Sequence, residues 1–477
     1  MPKINQKRLA AFQKKRGQRN AEELGGGLNG LAALSSTFLD RFIHHFHRRT
    51  RTVAPQARHF FKGLLQCPNK RNLERLEETV PDTEYQALHH FLSVSAWDDQ
   101  PLCNQIARDV DRLLGGGSDT GLFIDPSAFP KKGRHSVGAQ RQWCGRLGKL
   151  DNCQLGVFAA LGRGHHACLI DKRLYLPKEW TDDSNRCQRA GVPESQVDYR
   201  STANLALEII ESADANHVRY AWIGVDAEFG KQPWFLKHLD QAGKVFMADV
   251  QSSTHVQIQH PSLNKRSKVG DSHKALRLKK KAVVLKAWAK RQPDGDWLSL
   301  TIREGHKGPL TVEILHRHIW ILDEITGKYK AWHLVVRRDP LCHQDKDFTY
   351  KYSLSNAPLG TSAKTLALRQ AQRFWVEHAI KQAKQDAGMG EYQVRGWRGW
   401  HHHVSMSMLA ALFLLEARLK HQTAWPGLSN RDLRDILIFL LPRKIQKMAQ
   451  LLEQIYKRHQ RQNQAKLAAI RSIRKQE

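Results

Sequence analysis

The chain has 477 residues, 41% of them hydrophobic, which is enough for a globular protein with a sizeable core in two or three domains. Lys and Arg number 76 against 46 Asp and Glu, and the net charge of +30 predicts a polyanionic partner. The longest apolar run, from Met408 to Leu415, is too short to cross a bilayer, so nucleic acid is favoured over membrane.

The sequence lacks the motifs that several other classes of protein require. The seven cysteines are scattered without a Cys-x-x-Cys pair, which argues against a disulfide framework and a zinc module. A serine hydrolase and a nucleotide-phosphate enzyme are disfavoured because the sequence has no Gly-x-Ser-x-Gly and no Walker loop. No secretory segment follows the basic N-terminus, so we expect a cytoplasmic, nucleoid-associated protein.

The N-terminal part of the chain has two distinct patterns. Residues 1–20 carry seven Lys or Arg and no acid, which predicts a basic flexible arm over residues 1–27, either solvated or in contact with DNA. Apolar residues then recur at helical spacing, and this spacing predicts an all-helical domain over residues 28–115.

The next segment alternates between strand and helix patterns, as in an α/β core. A short buried strand is predicted at Leu122 to Ile124, ending at Asp125, and the loop after it carries Lys131 and Lys132, which suit phosphate oxygens. A second apolar run ends at Asp226 before a glycine turn. The other predicted strands are residues 155–160, 167–170, 174–177 and 245–250, and the predicted helices are 205–212 and 234–242.

The composition changes between residues 255 and 350, where we expect an inserted, β-rich subdomain. Its predicted strands are residues 298–302, 310–315 and 332–337. A basic run at Lys279, Lys280 and Lys281 stands near the tryptophans at 288, 297, 320 and 332, a combination that suits backbone contact and base stacking. The alternatives are a solvated charge run and tryptophans that belong only to the core.

A late helix, predicted from Gln370 to Gly388, carries Glu377 between two cations. Arg373 precedes Glu377 by four residues and Lys384 follows it by seven, so all three lie near one edge of the helix. Two cations so placed can hold phosphates while the acid offers oxygen to a divalent metal. Further on, a basic amphipathic helix is predicted from Arg443 to Glu477.

Three acids, Asp125, Asp226 and Glu377, thus stand out in a basic chain. Carboxylates so placed can converge on two divalent ions about 3.5 to 4 Å apart, which suits phosphodiester displacement. Each acid also has an ordinary alternative: Asp125 starts a turn before Pro126, Asp226 forms an Asx turn with Glu228 as a rival ligand, and Glu377 makes a surface ion pair.

The sequence resembles the insertion-sequence transposases that have an RNase H-like fold and an Asp-Asp-Glu triad. Arg373, Glu377 and Lys384 match the family's Tyr-x2-Arg-x3-Glu-x6-Lys signature, in which Gln370 stands at the tyrosine position. The resemblance extends over about residues 35 to 418, and further blocks occur in the family's usual order: Asp125 with residues 131–138, then 140–149, 152–154, 173–177 and 226–230.

This resemblance implies an α/β, RNase H-like mixed sheet with flanking helices, interrupted by a β-rich insertion, plus an all-helical N-terminal domain. It also implies Mg²⁺ at Asp125, Asp226 and Glu377, with Mn²⁺ as a substitute, and double-stranded DNA at the transposon ends and target, bound by a homo-oligomer. The expected activity is cleavage at terminal inverted repeats and strand transfer. The alternative is a catalytically silent, transposase-derived DNA-binding or repressor protein.

The expected domain division combines these patterns. It comprises the basic arm (1–27), the helical N-terminal DNA-binding domain (28–115), the first part of the RNase H-like core (118–254), the β-rich insertion (255–350), the C-terminal helices of the core (351–420) and a basic helical tail (421–477).

Overall fold

The structure is a computed structural model that describes residues 27–47, 52–261, 282–305, 308–339, 348–444 and 448–474. The chain forms two compact units: residues 1–105, 188–192 and 382–477 make one, and residues 106–187 and 193–381 make the other. No helix in the described part of the chain is both long and apolar enough to span a bilayer.

The helices include several with clear sequence signals at their starts. Ser201 and Ser429 each form a capping box, and the side chains of Asn72 and Ser362 cap two further helices. The helices are α1 (Leu31–Asp40), α2 (Ala54–Gln66), α3 (Leu73–Thr79), α4 (Tyr85–Ser93), α5 (Asp99–Leu114), α6 (Lys178–Thr181), α7 (Ser184–Arg189), α8 (Thr202–Ala215), α9 (Ala227–Gly230), α10 (Pro233–Gln241), α11 (Leu285–Ala289), α12 (Ala363–Gln372), α13 (Phe374–Asp386), α14 (Trp397–His421), α15 (Asn430–Leu440) and α16 (Met448–Arg474).

The first unit is helical, and aromatic side chains form much of its core. The rings of Phe38 (α1), Phe61 (α2) and Phe413 (α14) contact one another, with centroid distances of 5.3 to 5.9 Å. Helix α14 is apolar nearly all round and is correspondingly buried along most of its length.

The second unit is built on a ten-stranded mixed sheet with the order β2-β3-β1-β5-β6-β12-β11-β10-β9, and β4 also pairs with β3. A separate pair is formed by β7 and β8. The strands are β1 (Gly121–Pro130), β2 (Gln140–Cys144), β3 (Lys149–Arg163), β4 (His166–Leu174), β5 (Trp222–Val225), β6 (Phe246–Val250), β7 (His255–Val256), β8 (Val283–Val284), β9 (Leu298–Gly305), β10 (Gly308–Leu322), β11 (Tyr329–Arg338) and β12 (Tyr350–Ser355).

Strands β1, β5 and β6 run parallel in the middle of this sheet, and their apolar residues are almost fully buried. Helix α8 packs on β3 and β4, and α12 packs on β6 and β11. A large mixed sheet flanked by helices, with helical regions at both ends of the chain, is consistent with the RNase H-like fold, so the predicted fold class is confirmed.

The structure corrects three local predictions. Strand β1 does not end at Asp125 but continues to Pro130, because it stays paired with β3 up to Cys153. Only the first residue of the strand predicted at 174–177 belongs to a strand, as the end of β4. The helix predicted from Gln370 is two helices, since α12 ends at Gln372 and α13 begins at Phe374.

Candidate active site

Three aspartates lie at one level of the central sheet. Ile124 of β1 pairs with Val225 of β5, and Val225 pairs with Ala248 of β6. Asp125, Asp226 and Asp249 are the next residue in each case. Asp125 and Asp249 lie in β1 and β6, whereas Asp226 follows the last residue of β5. The charges of all three act on the guanidinium of Arg373, so the three carboxylates lie on the same side of the sheet.

Arg373, at the junction of α12 and α13, connects these strands to Glu377. Its Nε donates to Asp249 Oδ2 at 2.7 Å, and its Nη2 donates to Glu377 Oε1 at 2.9 Å. Its Nη1 lies 3.7 Å from Asp125 Oδ1. The guanidinium is therefore surrounded by carboxylates from β1, β6 and α13. We call these three acids, together with Asp226 and Arg373, the acidic edge.

The charge balance of the acidic edge shows in two pKa shifts. Burial acts to lower the pKa of Arg373, but the charges of Asp249, Asp125, Glu377 and Asp226 outweigh it and raise that pKa above its usual value. Burial raises the pKa of Asp226 to about 6, against the opposing effects of Arg373 and of two backbone N–H groups. Arg373 thus lies among all four carboxylates and Lys351 adds positive charge near Asp249 and Glu377, but Asp226 is left short of positive charge.

Asp226 also has the local role that its position in a turn suggested. Its Oδ1 accepts hydrogen bonds from the backbone N–H groups of Glu228, at 3.0 Å, and Phe229, at 3.4 Å, so it caps α9. The rival ligand Glu228 is exposed and pairs with Lys231 Nζ at 2.7 Å. Of these two acids, Asp226 is the one whose charge interacts with Arg373.

The donor set of the acidic edge suits a hard divalent cation, because carboxylate oxygens are the ligands that Mg²⁺ prefers. The raised pKa of Asp226 points the same way, since a second positive charge would stabilise its ionised form. Within the described ranges, Asp125, Asp226 and Glu377 do not form a group whose ligand oxygens all lie within 4.8 Å of one another. Arg373 lies between Asp125 and Glu377.

Asp249 belongs to the acidic edge although the sequence analysis did not select it. Its Oδ1 accepts a hydrogen bond from Ser353 Oγ at 2.6 Å, and that hydroxyl accepts one from Gln370 Nε2 at 2.9 Å. Gln370, at the tyrosine position of the signature, is thus buried and linked to the sheet. The missed signal was a third acid at the end of a predicted strand, 245–250.

The predicted basic residues have different surroundings. Asn152 Nδ2 donates to the carbonyls of Lys131, at 2.7 Å, and Gly133, at 3.0 Å, which holds the loop after β1. Burial lowers the pKa of Lys131 to about 7, whereas Lys132 is exposed. Lys384 lies on α13 with Glu377. Lys279, Lys280 and Lys281 lie outside the described residues.

The four tryptophans considered for base stacking differ in burial. Trp297 and Trp332 are buried, and Trp332 contacts Phe246 edge-on with ring centroids 5.0 Å apart. These two belong to the core, as the alternative interpretation held. Trp288 and Trp320 are half-buried.

The fold and the acidic edge place the chain in the RNase H-like class of α/β proteins. Within that class it belongs to the family described as DDE superfamily endonuclease, whose sequence profile matches residues 41–309, more than half of the chain. The chain is also 22% identical over 367 residues to the "Probable transposase for insertion sequence element IS701" of Microchaete diplosiphon, covering 74% of this chain and 82% of that protein. The resemblance to insertion-sequence transposases is thereby confirmed.

Proposed function

We propose that this protein is a DNA transposase that cleaves at the terminal inverted repeats of an insertion sequence and joins the freed 3′-hydroxyl ends to target DNA. Asp125, Asp226 and Glu377 are its catalytic carboxylates, with Mg²⁺ as the cofactor and Mn²⁺ as a substitute. The protein acts as a homo-oligomer on double-stranded DNA. Family membership and the net charge of +30 support a DNA substrate.

The observation that carries this proposal is the position of the Arg373 guanidinium. It contacts Glu377 and lies near Asp125, two acids that are far apart in the sequence, and its pKa is raised by Asp226 as well. A surface ion pair between Arg373 and Glu377 alone would not involve two strands of the central sheet. Convergence of acids from β1, β5 and α13 is what a metal-dependent phosphodiester reaction requires.

The residues of the acidic edge have separable tasks. Asp125, Asp226 and Glu377 would hold the divalent ions, which when bound activate the attacking oxygen and stabilise the leaving one. Arg373 offsets the repulsion among the carboxylates and offers N–H donors to a DNA phosphate. Lys384, further along the same helix, supplies a second cation for phosphate.

The decisive experiment replaces Asp125, Asp226 and Glu377 singly with Ala, with Glu194→Ala as the control because Glu194 is an exposed acid of the same unit. Each triad variant should lose cleavage of terminal-repeat DNA, by at least about 10³-fold, while a gel shift shows DNA binding retained. Cleavage retained by any one variant would remove that residue from the triad, and retention by Asp226→Ala would favour Glu228.

DNA affinity should come mainly from basic residues outside the triad. Lys131, Lys132 and the run Lys279 to Lys281 are the proposed phosphate contacts. Each neutralised phosphate steepens the slope of log K against log salt by about 0.9. Changing Lys279, Lys280 and Lys281 together to Gln should therefore flatten that slope. An unchanged slope would show that the run is only surface charge.

A further inference from the structure

Three histidines form a cluster on the same sheet, outside the acidic edge. His316 and His318 are two residues apart on β10 and share a face, and His318 pairs directly with His333 on β11. The three ring centroids are 5.0 to 5.3 Å from one another. We call this group the histidine cluster.

The ligand nitrogens of the histidine cluster face one another. One ring nitrogen from each histidine lies within 4.8 Å of the other two. His316 Nε2 lies 2.9 Å from His333 Nδ1, so these two nitrogens already share a hydrogen bond. For a tetrahedral Zn²⁺ with Zn–N bonds of about 2.0 to 2.1 Å to replace this hydrogen bond, His316 would take the tautomer with its hydrogen on Nδ1 and the rings would rotate.

The outer nitrogen of His333 is held by the backbone. His333 Nε2 lies 3.1 Å from the carbonyl oxygen of Ala357 and 3.2 Å from that of Pro358. Because a carbonyl only accepts, Nε2 must carry the hydrogen, and the lone pair of His333 is then on Nδ1, inside the cluster. A histidine oriented through its far nitrogen in this way is typical of metal ligands.

The charge state of the two inner histidines also suits a metal. Burial, together with the neighbouring His333 and His318 and with Arg317, lowers the pKa of His316 to about 4. Burial also lowers the pKa of His333, with smaller contributions from His318 and Arg369 and opposed by its hydrogen bonds to the two carbonyls. Both rings are therefore neutral at pH 7, the form in which imidazole binds metals.

We propose that His316, His318 and His333 form a binding site for a divalent transition metal of the class that prefers imidazole, with Zn²⁺ as the first candidate. His318 is exposed, so the fourth ligand position is open to water. Mg²⁺ is not expected there, because it prefers oxygen ligands. The bound metal would link β10 to β11 and so stabilise this part of the sheet.

The test uses the purified full-length protein, stripped of metal and titrated with Zn²⁺ and, separately, Co²⁺ in excess Mg²⁺, which occupies carboxylate sites. We expect one tightly bound equivalent, a Co²⁺ absorption band characteristic of nitrogen ligands, and a rise in the thermal midpoint with Zn²⁺. His318→Gln should weaken binding at least tenfold and abolish both the band and the rise.

His318→Gln is the main variant because His318 is exposed, so its replacement should leave the fold intact. His316→Gln is the second ligand variant, and His255→Gln, at an exposed histidine of β7, is the matched control that should bind like the parent. The proposal is overturned if the parent binds no equivalent in excess Mg²⁺, or if His318→Gln binds as tightly as His255→Gln.

Discussion

The acidic edge and the histidine cluster lie on the same face of one sheet, but their buried polar side chains are stabilised in different ways. Asp249 pairs with Ser353, Ser353 with Val335 and Val335 with His316, so one row of side chains runs from the first region to the second. Neighbouring strands are about 4.8 Å apart, which puts the two ends of this row about 14 Å apart.

The difference lies in how each region deals with charge. The acids of the acidic edge carry charge, and Arg373 must be buried with them to compensate it. The inner histidines need no counterion because burial lowers their pKa values and leaves them neutral. Replacing Arg373 in the acidic edge should therefore leave uncompensated charge. Replacing an inner histidine should leave only one hydrogen-bonding group without its partner.

The largest expected effect follows from Arg373→Ala. Removing the guanidinium takes away the cation that Asp249 and Asp125, both mostly buried, share, and the more distant charge of Lys351 still acts on Asp249. We expect the free energy of unfolding to fall by about 3 to 5 kcal/mol, measured by chemical denaturation. The control Arg146→Ala, at an exposed arginine, should change it by less than about 0.5 kcal/mol. Metal-free His316→Gln, which removes the hydrogen bond to His333, should lower it by only about 1 kcal/mol. Equal losses in Arg373→Ala and His316→Gln would refute the contrast between the two regions.

A smaller loss is expected for Asp249→Asn. The amide keeps one acceptor but cannot offer charged oxygens to both Arg373 and Ser353, so we expect about 1 to 3 kcal/mol of destabilisation. Cleavage should also fall, because Asp249 positions Arg373. Replacing Arg373 as well should reduce cleavage by less than the product of the two single defects, since the two residues act as a unit. Asp198→Asn, at an exposed aspartate, is the control.

The pH dependence of Asp226→Asn tests the sign of the charge balance. The pKa of Asp226 is raised to about 6 in the folded state, so its protonated form favours folding, and that stabilisation is lost as the pH rises through about 6. The neutral amide should thus match the parent below pH 4 and exceed its stability by on the order of 2 kcal/mol above pH 7. Thermal midpoints across this range provide the measurement, with Glu194→Gln, at an exposed acid of the same unit, as the control. If the stability of Asp226→Asn differed from that of the parent by the same amount at every pH, the raised pKa of Asp226 would be contradicted.

The smallest effect is expected at Lys131, whose pKa is lowered by burial, as are the pKa values of the inner histidines. Its pKa of about 7 means that Lys131 is mostly charged at pH 6 and mostly neutral at pH 8. If it contacts phosphate, Lys131→Gln should reduce the salt slope of DNA binding by up to about 0.9 at pH 6 and by little at pH 8. The comparison variant is Lys132→Gln, at the exposed neighbouring lysine, and the same slope reduction in Lys131→Gln at both pH values would contradict the prediction.

Local patterns in the sequence were sufficient for the elements that carry the acids. The buried runs before Asp226 and Asp249 are strands, and the spacing around Glu377 is helical, since burial and periodicity act within a few residues. The extension of β1 past Asp125 depends on pairing with β3, which no local pattern reveals. For the same reason, the contact of Asp249 with Arg373 and the meeting of His318 with His333 could not be predicted.

The bond from Gln370 to Ser353 continues through Asp249 and Arg373 to Glu377, so five side chains form one hydrogen-bonded chain. This restricts the order in which substitutions can accumulate during evolution. A change at Gln370 alters what Ser353 can offer to Asp249, so its cost depends on the residue already present at 353. Among related transposases, replacement of this glutamine should therefore be accompanied by replacement of the serine.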